Sequence, residues 1–463
     1  MTLDTAQLLS LLAQFPKPSR YWVAFSGGLD STVLLHALAA CRDRLAADVC
    51  AVHIDHGLQA QSPAWQTHCQ QVCDALQISL TVLCVEVDRQ SGKGLEAAAR
   101  SARYQAFATL LQAGDILCLA QHQDDQAETL LLQLLRGSGA AGLAAMPRYR
   151  SFGTGALLRP LLTCSRAELL AYAQQERLTW IEDPSNAHTT LDRNYLRHAV
   201  MPLLQERWPA AHKSLARSAQ HLAEASQLLL QVAHEDWHTV AGASADRLSL
   251  TALAGLTPER QRNVVRYWLQ HINHAPLPDT QRLQQIFAEV IASAEDATPC
   301  VQWHGVAVRR YRQTLYVTAA RLAHAEDRAW DLTAPLRIPE LNLRLSVVDV
   351  RDPEAEAALD RHLLDGQDLR IGFRQGGERC CPAGRGRQHH DLKKLFQEWG
   401  VPPWQRPRVP LLYAGTMIAA VPGYCVCAEF AAAPDSTGIG IKIEDLSAAG
   451  IASAGENNDN TED

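Results

Sequence analysis

Between an apolar run at residues 21–25 and an amphipathic stretch that begins at residue 31 lies Ser26-Gly27-Gly28-Leu29-Asp30-Ser31. Two adjacent glycines let a backbone turn sharply and approach a ligand, and a following helix aims unpaired N–H groups and its positive dipole end at the same point. Ser26, Ser31 and Thr32 add hydroxyl donors, which makes the segment an anion cradle sized for phosphate. Two more strand ends carry reactive groups. In His53-Ile54-Asp55-His56-Gly57-Leu58, alternation puts His53 and Asp55 on one face. In Gln121-His122-Gln123-Asp124-Asp125-Gln126-Ala127-Glu128-Thr129, Glu128 follows Asp125 by three residues and Asp124 by four, so the carboxylates share a face at a helix start.

The form of the glycine segment separates phosphate-site families. It lacks the Lys of GxxxxGK[ST] and the third Gly of GxGxxG, which disfavours kinase-like NTPases and dinucleotide dehydrogenases. SGGxDS resembles the pyrophosphate loop of the ATP pyrophosphatases, formed here by Ser26, Gly27, Gly28, Leu29, Asp30 and Ser31. That family cleaves ATP between the α and β phosphates and leaves an adenylated substrate. Such cleavage needs Mg²⁺, a hard cation that commonly takes one or two carboxylates plus substrate phosphates, and Asp30 and Asp125 are the expected ligands. Any single carboxylate at the helix start could merely complement the dipole. Together with Asp30, the expected catalytic set is Asp30, His122, Asp125 and Glu128. His53, His56 and His122 suit hydrogen bonding or proton transfer better than ligation of a hard cation. Arg100 and Arg103, beside Tyr104 on one helical stripe, divide evenly between a surface ion pair with Glu96 and contacts to phosphate or RNA.

These groups need a scaffold. Residues 21–160 repeat a β-rich run, a polar turn and an amphipathic helix, with runs at 21–25, 48–54, 80–87 and 115–120 and helices near 31–42, 62–76, 95–113 and 125–135. That alternation predicts βαβ units and a parallel sheet, whose ligands bind at the carboxyl ends of the strands. A fifth run (156–162) leads into a helix over 165–178. Polar-faced helices follow at 214–235 and 251–293, and short β runs begin at Cys300. The last unit has a strand-like LRIGF, a helix over 391–399 and apolar runs broken by Gly and Pro.

Composition sets outer bounds. With 463 residues, 47% apolar and 20% charged, the chain is long enough for two to four globular units and too ordinary for disordered, collagen-like or coiled-coil readings. No stretch approaches the ~20 apolar residues of a membrane helix, and the first residues lack a basic, apolar leader, so the expected location is cytoplasmic. The 12 cysteines group closely only at Cys69/Cys73, Cys380/Cys381 and Cys425/Cys427, without a CxxC pair, and are expected to be reduced and mostly buried. The net charge of −7 hides an asymmetry. Residues 361–410 carry ten Lys and Arg against five acids, whereas residues 435–463 carry one Lys against seven acids.

HIDHGL, LEAAARSARY, HQDDQAETLLLQLLRGSGAAGL, RPLL, SRAELLAYA, EDPSN and RNYLRHAVMPLL follow SGGLDS in this order, and FRQGGER and LKKLFQEWGVPPWQRPRVPLLY come later. On these motifs the chain resembles the bacterial tRNA(Ile)-lysidine synthetases over most of residues 21–430. The resemblance implies that ATP adenylates the C2 oxygen of the wobble cytidine in the CAU anticodon of tRNA(Ile). Free L-lysine then attacks C2, releasing AMP and changing both the codon read and the amino acid accepted. It also implies a PP-loop α/β catalytic domain over 1–213, a mostly helical, tRNA-contacting middle domain with a β segment over 214–345, and a small α+β tRNA-binding domain over 346–432. Residues 433–463 are expected to form an acidic flexible tail. Arg374, Arg379, Lys393, Lys394 and Arg406, interleaved with Phe373, Phe396, Trp399 and Trp404, are the expected RNA-binding set of the last domain, with Arg100 and Arg103 added from the first. Phe396 and Trp399, three apart on a helix, are expected in its core. The family often has Arg after HGL, where this chain has Gln59. The resemblance also raises homodimerisation, to which no residue here is attached. The alternative is a PP-loop tRNA thiolase, whose chemistry needs a cysteine pair at the sheet, whereas Cys50, Cys84 and Cys118 are expected to be buried in strands.

Overall fold

Runs that are apolar at nearly every position demand burial on both sides, and the first sheet supplies it. The computed structural model describes residues 4–57, 61–88, 94–183, 190–294, 297–350, 358–386, 388–433 and 438–446. They divide into two compact units, meeting in sequence at residues 230 and 231.

The first unit opens with α1 (Thr5–Leu12), β1 (Arg20–Ala24), α2 (Leu29–Cys41), β2 (Asp48–Asp55), α3 (Ser62–Leu76), β3 (Ser79–Cys84), α4 (Leu95–Leu110), β4 (Asp115–Cys118) and α5 (Gln123–Leu135). After the short α6 (Ala140–Leu143) come β5 (Tyr149–Phe152), β6 (Gly155–Leu158), α7 (Arg166–Gln175), α8 (Asp192–Tyr195) and α9 (Met201–Arg207). The sheet order is β3-β2-β1-β4-β6-β5. All pairings are parallel except β5 with β6, an antiparallel hairpin at the edge. Strand β5 has no counterpart among the expected runs, because four-residue YRSF has no apolar alternation to reveal it.

Side-chain alternation sorts the two faces. Tyr21 and Val23 of β1, Ile116 and Cys118 of β4, and Ala156 and Leu158 of β6 point toward α1, α2, α3 and α7. Trp22, Leu117 and Leu157 point toward Phe107 and Leu111 at the end of α4. Helix α2 is buried nearly throughout, with Val33, Leu34, Leu35, Ala37 and Leu38 at 0% exposure. That burial fixes the helix start, and with it the glycine loop, relative to β1. Of the three strand cysteines expected to be buried, only Cys118 is fully so. Cys50 is partly covered, and Cys84 is exposed because β3 is the edge strand and ends there.

A long helix, α10 (Ala211–Val240), leads into the second unit. There β7 (Arg247–Ser249), α11 (Leu250–Ala254), α12 (Pro258–Tyr267) and α13 (Thr280–Gln285) precede the meander β8 (Cys300–Trp303), β9 (Val306–Tyr311) and β10 (Thr314–Ala319). The sheet β7-β10-β9-β8 packs around the fully buried Trp268. A mostly helical middle segment with β structure is therefore present.

Its expected end at residue 345 is corrected. Strands β11 (Arg328–Ala329), β12 (Leu336–Ile338) and β13 (Leu343–Val350) already belong to the last module, since Trp330, Ile338 and Leu345 share its core with Ile371 and Leu412. That module continues through β14 (Leu359–Asp360), α14 (Arg361–Leu364), β15 (Leu369–Gly372), β16 (Arg379–Cys380), β17 (His390–Asp391), α15 (Leu392–Glu398), β18 (Leu411–Ala414), β19 (Met417–Val421), β20 (Cys425–Val426) and β21 (Gly438–Asp445). The acidic tail reading is also corrected. Gly438–Asp445 forms β21, paired antiparallel with β13 along eight residues, because GIGIKIED alternates and places Ile439 in the core. Residues 447–463 lie outside the described residues, as does Gln59. Among the described residues no helix is long and apolar enough to cross a membrane.

Candidate active site

Gly27 sits at φ +81°, a region that L side chains rarely adopt, and a Cβ there would lie 2.9 Å from Ile181 Cδ1 and 3.0 Å from Cys69 Sγ. Ile181 N–H donates to the Gly27 carbonyl at 2.8 Å, so the loop is closed over by the 180–183 segment. Gly28 is the N-cap of α2 and offers no side-chain cap. The first helical bond runs from Thr32 N–H to the Gly28 carbonyl, which leaves the N–H groups of Leu29, Asp30 and Ser31 outside the helical ladder. The Ser31 and Thr32 hydroxyls also donate to the Gly28 carbonyl, at 3.0 and 2.9 Å, and Ser26 N–H donates to Ser31 Oγ at 3.3 Å. These bonds hold the loop open in one shape while its first helical N–H groups stay unspent, the arrangement an anion needs.

Asp30, one residue into α2, meets the start of α5. The His122 Nε2 atom lies 3.6 Å from Asp30 Oδ2 and 3.4 Å from Asp125 Oδ2. A reciprocal cap builds this corner: His122 Nδ1 accepts from Asp124 N–H, and Asp125 Oδ2 accepts from His122 N–H at 3.0 Å. The cap requires a lone pair on Nδ1, whereas the surrounding carboxylates favour a second proton on the ring. Burial pushes the His122 pKa down, but the charges of Asp125, Asp30 and Asp124 outweigh it and leave it above the ordinary value. The cap geometry assigns the neutral Nε2–H form, which also directs its proton toward the two carboxylates.

Asp125 and Glu128 share a face, as the spacing predicts, and the face is taken by arginines from α8 and the turn after it. Arg193 Nε donates to Glu128 Oε2 at 2.9 Å and its Nη2 to Asp125 Oδ1 at 3.1 Å. Arg197 Nε donates to Glu128 Oε1 at 2.7 Å and its Nη2 to Asp125 Oδ1 at 3.0 Å. Glu128 is 1% exposed. Burial would raise the Asp125 pKa, but His122, Arg193, Arg197 and the His122 N–H hold it below the usual carboxylate range. The third acidic residue, Asp124, points elsewhere and accepts from Arg166 N–H. The two arginines were missed as functional residues, although RNYLR sets them four apart on one helical face, a readable signal.

The fit to Mg²⁺ turns on free oxygens. Asp30 Oδ1 is buried without a hydrogen-bond partner, an orphan that a hard cation would satisfy. Asp125 has little left to give, since Oδ1 accepts from two arginines and Oδ2 from a backbone amide. Among the described residues no group of three or more His, Cys, Asp or Glu is arranged to hold a metal ion. A cation carried in mainly by phosphate oxygens and caught by Asp30 fits this donor set.

A cleft of about 940 Å³ joins these parts, large enough for a nucleotide and a second small group. Ser26, Gly28, Asp30 and Ser31 line one region, Asp125 and Arg197 another, and His56, Arg103 and Tyr104 a third. The Arg100 and Arg103 guanidiniums lie 5.0 and 5.8 Å from the Tyr104 ring centroid. Burial raises the Tyr104 pKa, but Arg100, Arg159, Arg103 and Arg150 together bring it below its ordinary value. His56 Nδ1 is buried with no partner. His53 instead is spent on structure, its Nδ1 2.9 Å from the Phe25 carbonyl.

In the last module Arg374, Lys393 and Lys394 surround a second cleft of about 350 Å³ with Glu378, Asp391 and Gln397. Helix α15 explains the arrangement: Leu392, Leu395 and Phe396 face inward while Lys393 and Lys394 are exposed. Arg379 is exposed and donates to the His389 carbonyl at 2.9 Å. Arg406 is not part of this face. It is 7% exposed with Nε donating to the Val401 carbonyl, so its guanidinium closes a turn and is removed from the RNA-binding set. The aromatic residues are structural as well. Phe373 and Phe396 are core, Trp399 stacks on Tyr424 at 5.1 Å, and Trp404 packs edge-on against Tyr311 and Tyr316.

The PP-loop domain family matches residues 2–204, the TilS substrate binding domain 248–316 and the TilS substrate C-terminal domain 369–443. Among curated proteins, the tRNA(Ile)-lysidine synthase of Coxiella burnetii is 40% identical over 95% of this chain and 96% of its own length. That of Alkalilimnicola ehrlichii is 44% identical over 91% and 94%, and that of Pseudomonas putida 47% identical over 87% and 91%.

Proposed function

The chain belongs to the tRNA(Ile)-lysidine synthase family, and from that membership we propose how its cleft carries out an ATP-dependent C–N ligation on tRNA. The observation that carries the reading is the meeting of Asp30, on the glycine loop's helix, with the His122–Asp125 corner in one cleft.

ATP lies with its β and γ phosphates on the N–H groups of the Ser26–Ser31 loop. The C2 oxygen of the wobble cytidine of tRNA(Ile) attacks the α phosphorus, and pyrophosphate leaves. The ε-amine of free L-lysine, as the neutral amine, then attacks C2 and AMP departs, leaving lysidine. Adenylation is needed because the C2 carbonyl oxygen is a very poor leaving group, whereas AMP is a good one. Mg²⁺, when bound, neutralises phosphate charge, and Asp30 is the residue that would hold it, with Asp125 beside it. The loop N–H groups stabilise charge as it develops on the departing pyrophosphate.

The remaining residues divide by what they can still do. Glu128 has both oxygens engaged by Arg193 and Arg197, and acts as a positioning residue that aims Arg197 into the cleft. His122, tied to Asp30 and Asp125, is placed to relay a proton. Arg103 presents a cation to the RNA backbone at the cleft, with Arg100 stacked behind it on Tyr104. Arg374, Arg379, Lys393 and Lys394 contact tRNA phosphates in the last module. Cytoplasmic operation and homodimerisation belong to the same proposal. The thiolase alternative has no support in the cleft, whose described lining contains no cysteine.

Incubation with ATP, Mg²⁺, radiolabelled lysine and a CAU-anticodon tRNA(Ile) transcript tests the reading. Label should enter the tRNA only when ATP is present. No incorporation, or ATP-dependent sulfur incorporation in its place, would sink it.

A further inference from the structure

Near its end α10 reads His234-Glu235-Asp236-Trp237-His238, which sets two imidazoles four residues apart on one helical face with a glutamate after the first. This is the helix-borne HExxH spacing of zinc sites, in which two histidines one turn apart present their nitrogens to one point. Both histidines are exposed, and they line neither of the clefts described above.

The pair is aimed by what lies behind it. Ala233 is buried, Trp237 packs on the core around Trp268, and the buried Asp236 takes Arg260 of α12 in a two-pronged ion pair. Arg260 Nε donates to Asp236 Oδ2 at 3.0 Å and its Nη2 to Oδ1 at 2.5 Å, which fixes this turn of α10 against α12. Tyr267, the last residue of α12, shares a hydrogen bond of 2.9 Å with His234 Nδ1 and is itself stacked on His271 at 5.2 Å. The His234 ring is therefore oriented through Nδ1, and Nε2 is the nitrogen left to act.

His234 Nε2 and His238 Nε2 are 3.3 Å apart. Without a cation, one ring must donate an Nε2 proton to the other. A tetrahedral zinc ion with Zn–N bonds of about 2.0–2.1 Å separates two ligand nitrogens by ~3.3–3.4 Å, so the pair already has the spacing such an ion requires. The ion takes the place of the shared proton. His238 carries its proton on Nδ1, His234 donates its Nδ1–H to the Tyr267 oxygen, and both Nε2 lone pairs face the metal. Each ring stays neutral, so no net proton is released. An N–H donated to a partner on the far side of the ring is how metal-binding imidazoles are commonly held in one tautomer.

We propose that His234 and His238 form a surface site for a borderline divalent transition cation, Zn²⁺ in the first instance, with Tyr267 as the residue that positions His234. Imidazole nitrogens suit Zn²⁺, Ni²⁺ and Cu²⁺, whereas Mg²⁺ takes oxygen ligands, so this site does not compete for the cation expected at Asp30. Among the described residues no set of three or more His, Cys, Asp or Glu is arranged to hold a metal, so water fills the remaining positions. Catalytic zinc has three protein ligands and one open position. With two, the site is one of binding, and Glu235 gains no hydrolytic role. Occupancy locks the His234–Tyr267 bond and so ties this turn of α10 more firmly to α12. None of this rests on the ATP and tRNA chemistry proposed above.

Calorimetric titration of the full chain, free of any polyhistidine tag, with zinc chloride in a non-chelating buffer containing excess Mg²⁺ tests the site. A single Zn²⁺ should bind at this pair, and His234→Ala and His238→Ala should each remove that binding event. Both side chains are exposed, so the two variants should melt like the wild type in EDTA, and the loss then reports the ligands rather than the fold. Tyr267→Phe keeps the ring, loses the hydroxyl and should weaken Zn²⁺ binding by about tenfold. No Zn²⁺ binding, or binding that persists unchanged in both histidine variants because thiols carry it, would overturn the site. Equal affinity in Tyr267→Phe would overturn the positioning role of Tyr267.

Discussion

Arg197 reaches back 72 residues in sequence to Asp125, with Nη2 3.0 Å from Oδ1, while its Nε binds Glu128 Oε1 at 2.7 Å. One guanidinium therefore bridges the Asp125 and Glu128 carboxylates of α5 and still lines the cleft. Substitution by Met keeps the stem and removes the fork. Glu128 is almost fully buried and would lose two of its charge-assisted bonds, so Arg197→Met should lower stability by about 3 kcal/mol in urea unfolding. Unchanged stability would mean that Arg193 alone satisfies the pair.

Asp125 supplies a pH signature. Its folded pKa is held below the unfolded value of about 3.9, so the stability it contributes is present above that pH and is lost as pH falls through the folded value. Asp125→Asn should therefore be less stable than wild type at neutral pH, and the gap should shrink as pH drops below about 4. Thermal unfolding as a function of pH measures this. A constant gap across that window would contradict the ionised clamp.

The two loop glycines should respond differently to the same methyl group. Gly27→Ala meets both a left-handed backbone, costing about 1–2 kcal/mol, and a side-chain collision with Ile181 and Cys69. It should destabilise the fold and abolish ATP turnover. Gly28 has φ −75° and its nearest new neighbour would be Ser26 Oγ at 3.5 Å, so Gly28→Ala should fold normally and raise the KM for ATP. Equal stability losses would count against this assignment.

Lys393→Glu with Lys394→Glu should weaken tRNA binding uniformly and reduce the slope of log K against log salt by about 2. Arg406→Ala should do the reverse, lowering stability while leaving the salt slope alone, since its guanidinium is committed to Val401. A changed slope in Arg406→Ala would return that residue to the RNA face.

Much of this was legible in the sequence because local rules and tertiary demands agree there. The strand, Gly-Gly turn and helix around Ser26–Ser31 follow from apolar runs and glycine placement, and the Asp125–Glu128 face from helical spacing. What failed depended on partners distant in sequence. Arg406 and Trp404 look like RNA-contacting residues until the turn at Val401 and the tyrosines of β9 and β10 cover them. The acidic composition after residue 435 masked the alternation of Gly438–Asp445, which becomes a strand only because β13 offers it an edge. Helix spacing could place Arg193 and Arg197 together, but not opposite Asp125 and Glu128.

In the proposed reaction the serine-flanked diglycine turn grips the distal phosphates so that the nucleotide's AMP half is transferred to RNA. Thin-layer analysis of products from α- and γ-labelled ATP, with CAU-anticodon tRNA(Ile) and lysine present, tests it most directly. AMP and pyrophosphate should form, only with tRNA, and should be lost in Asp30→Ala that remains folded. ADP and orthophosphate as products, or full turnover in Asp30→Ala, would contradict it.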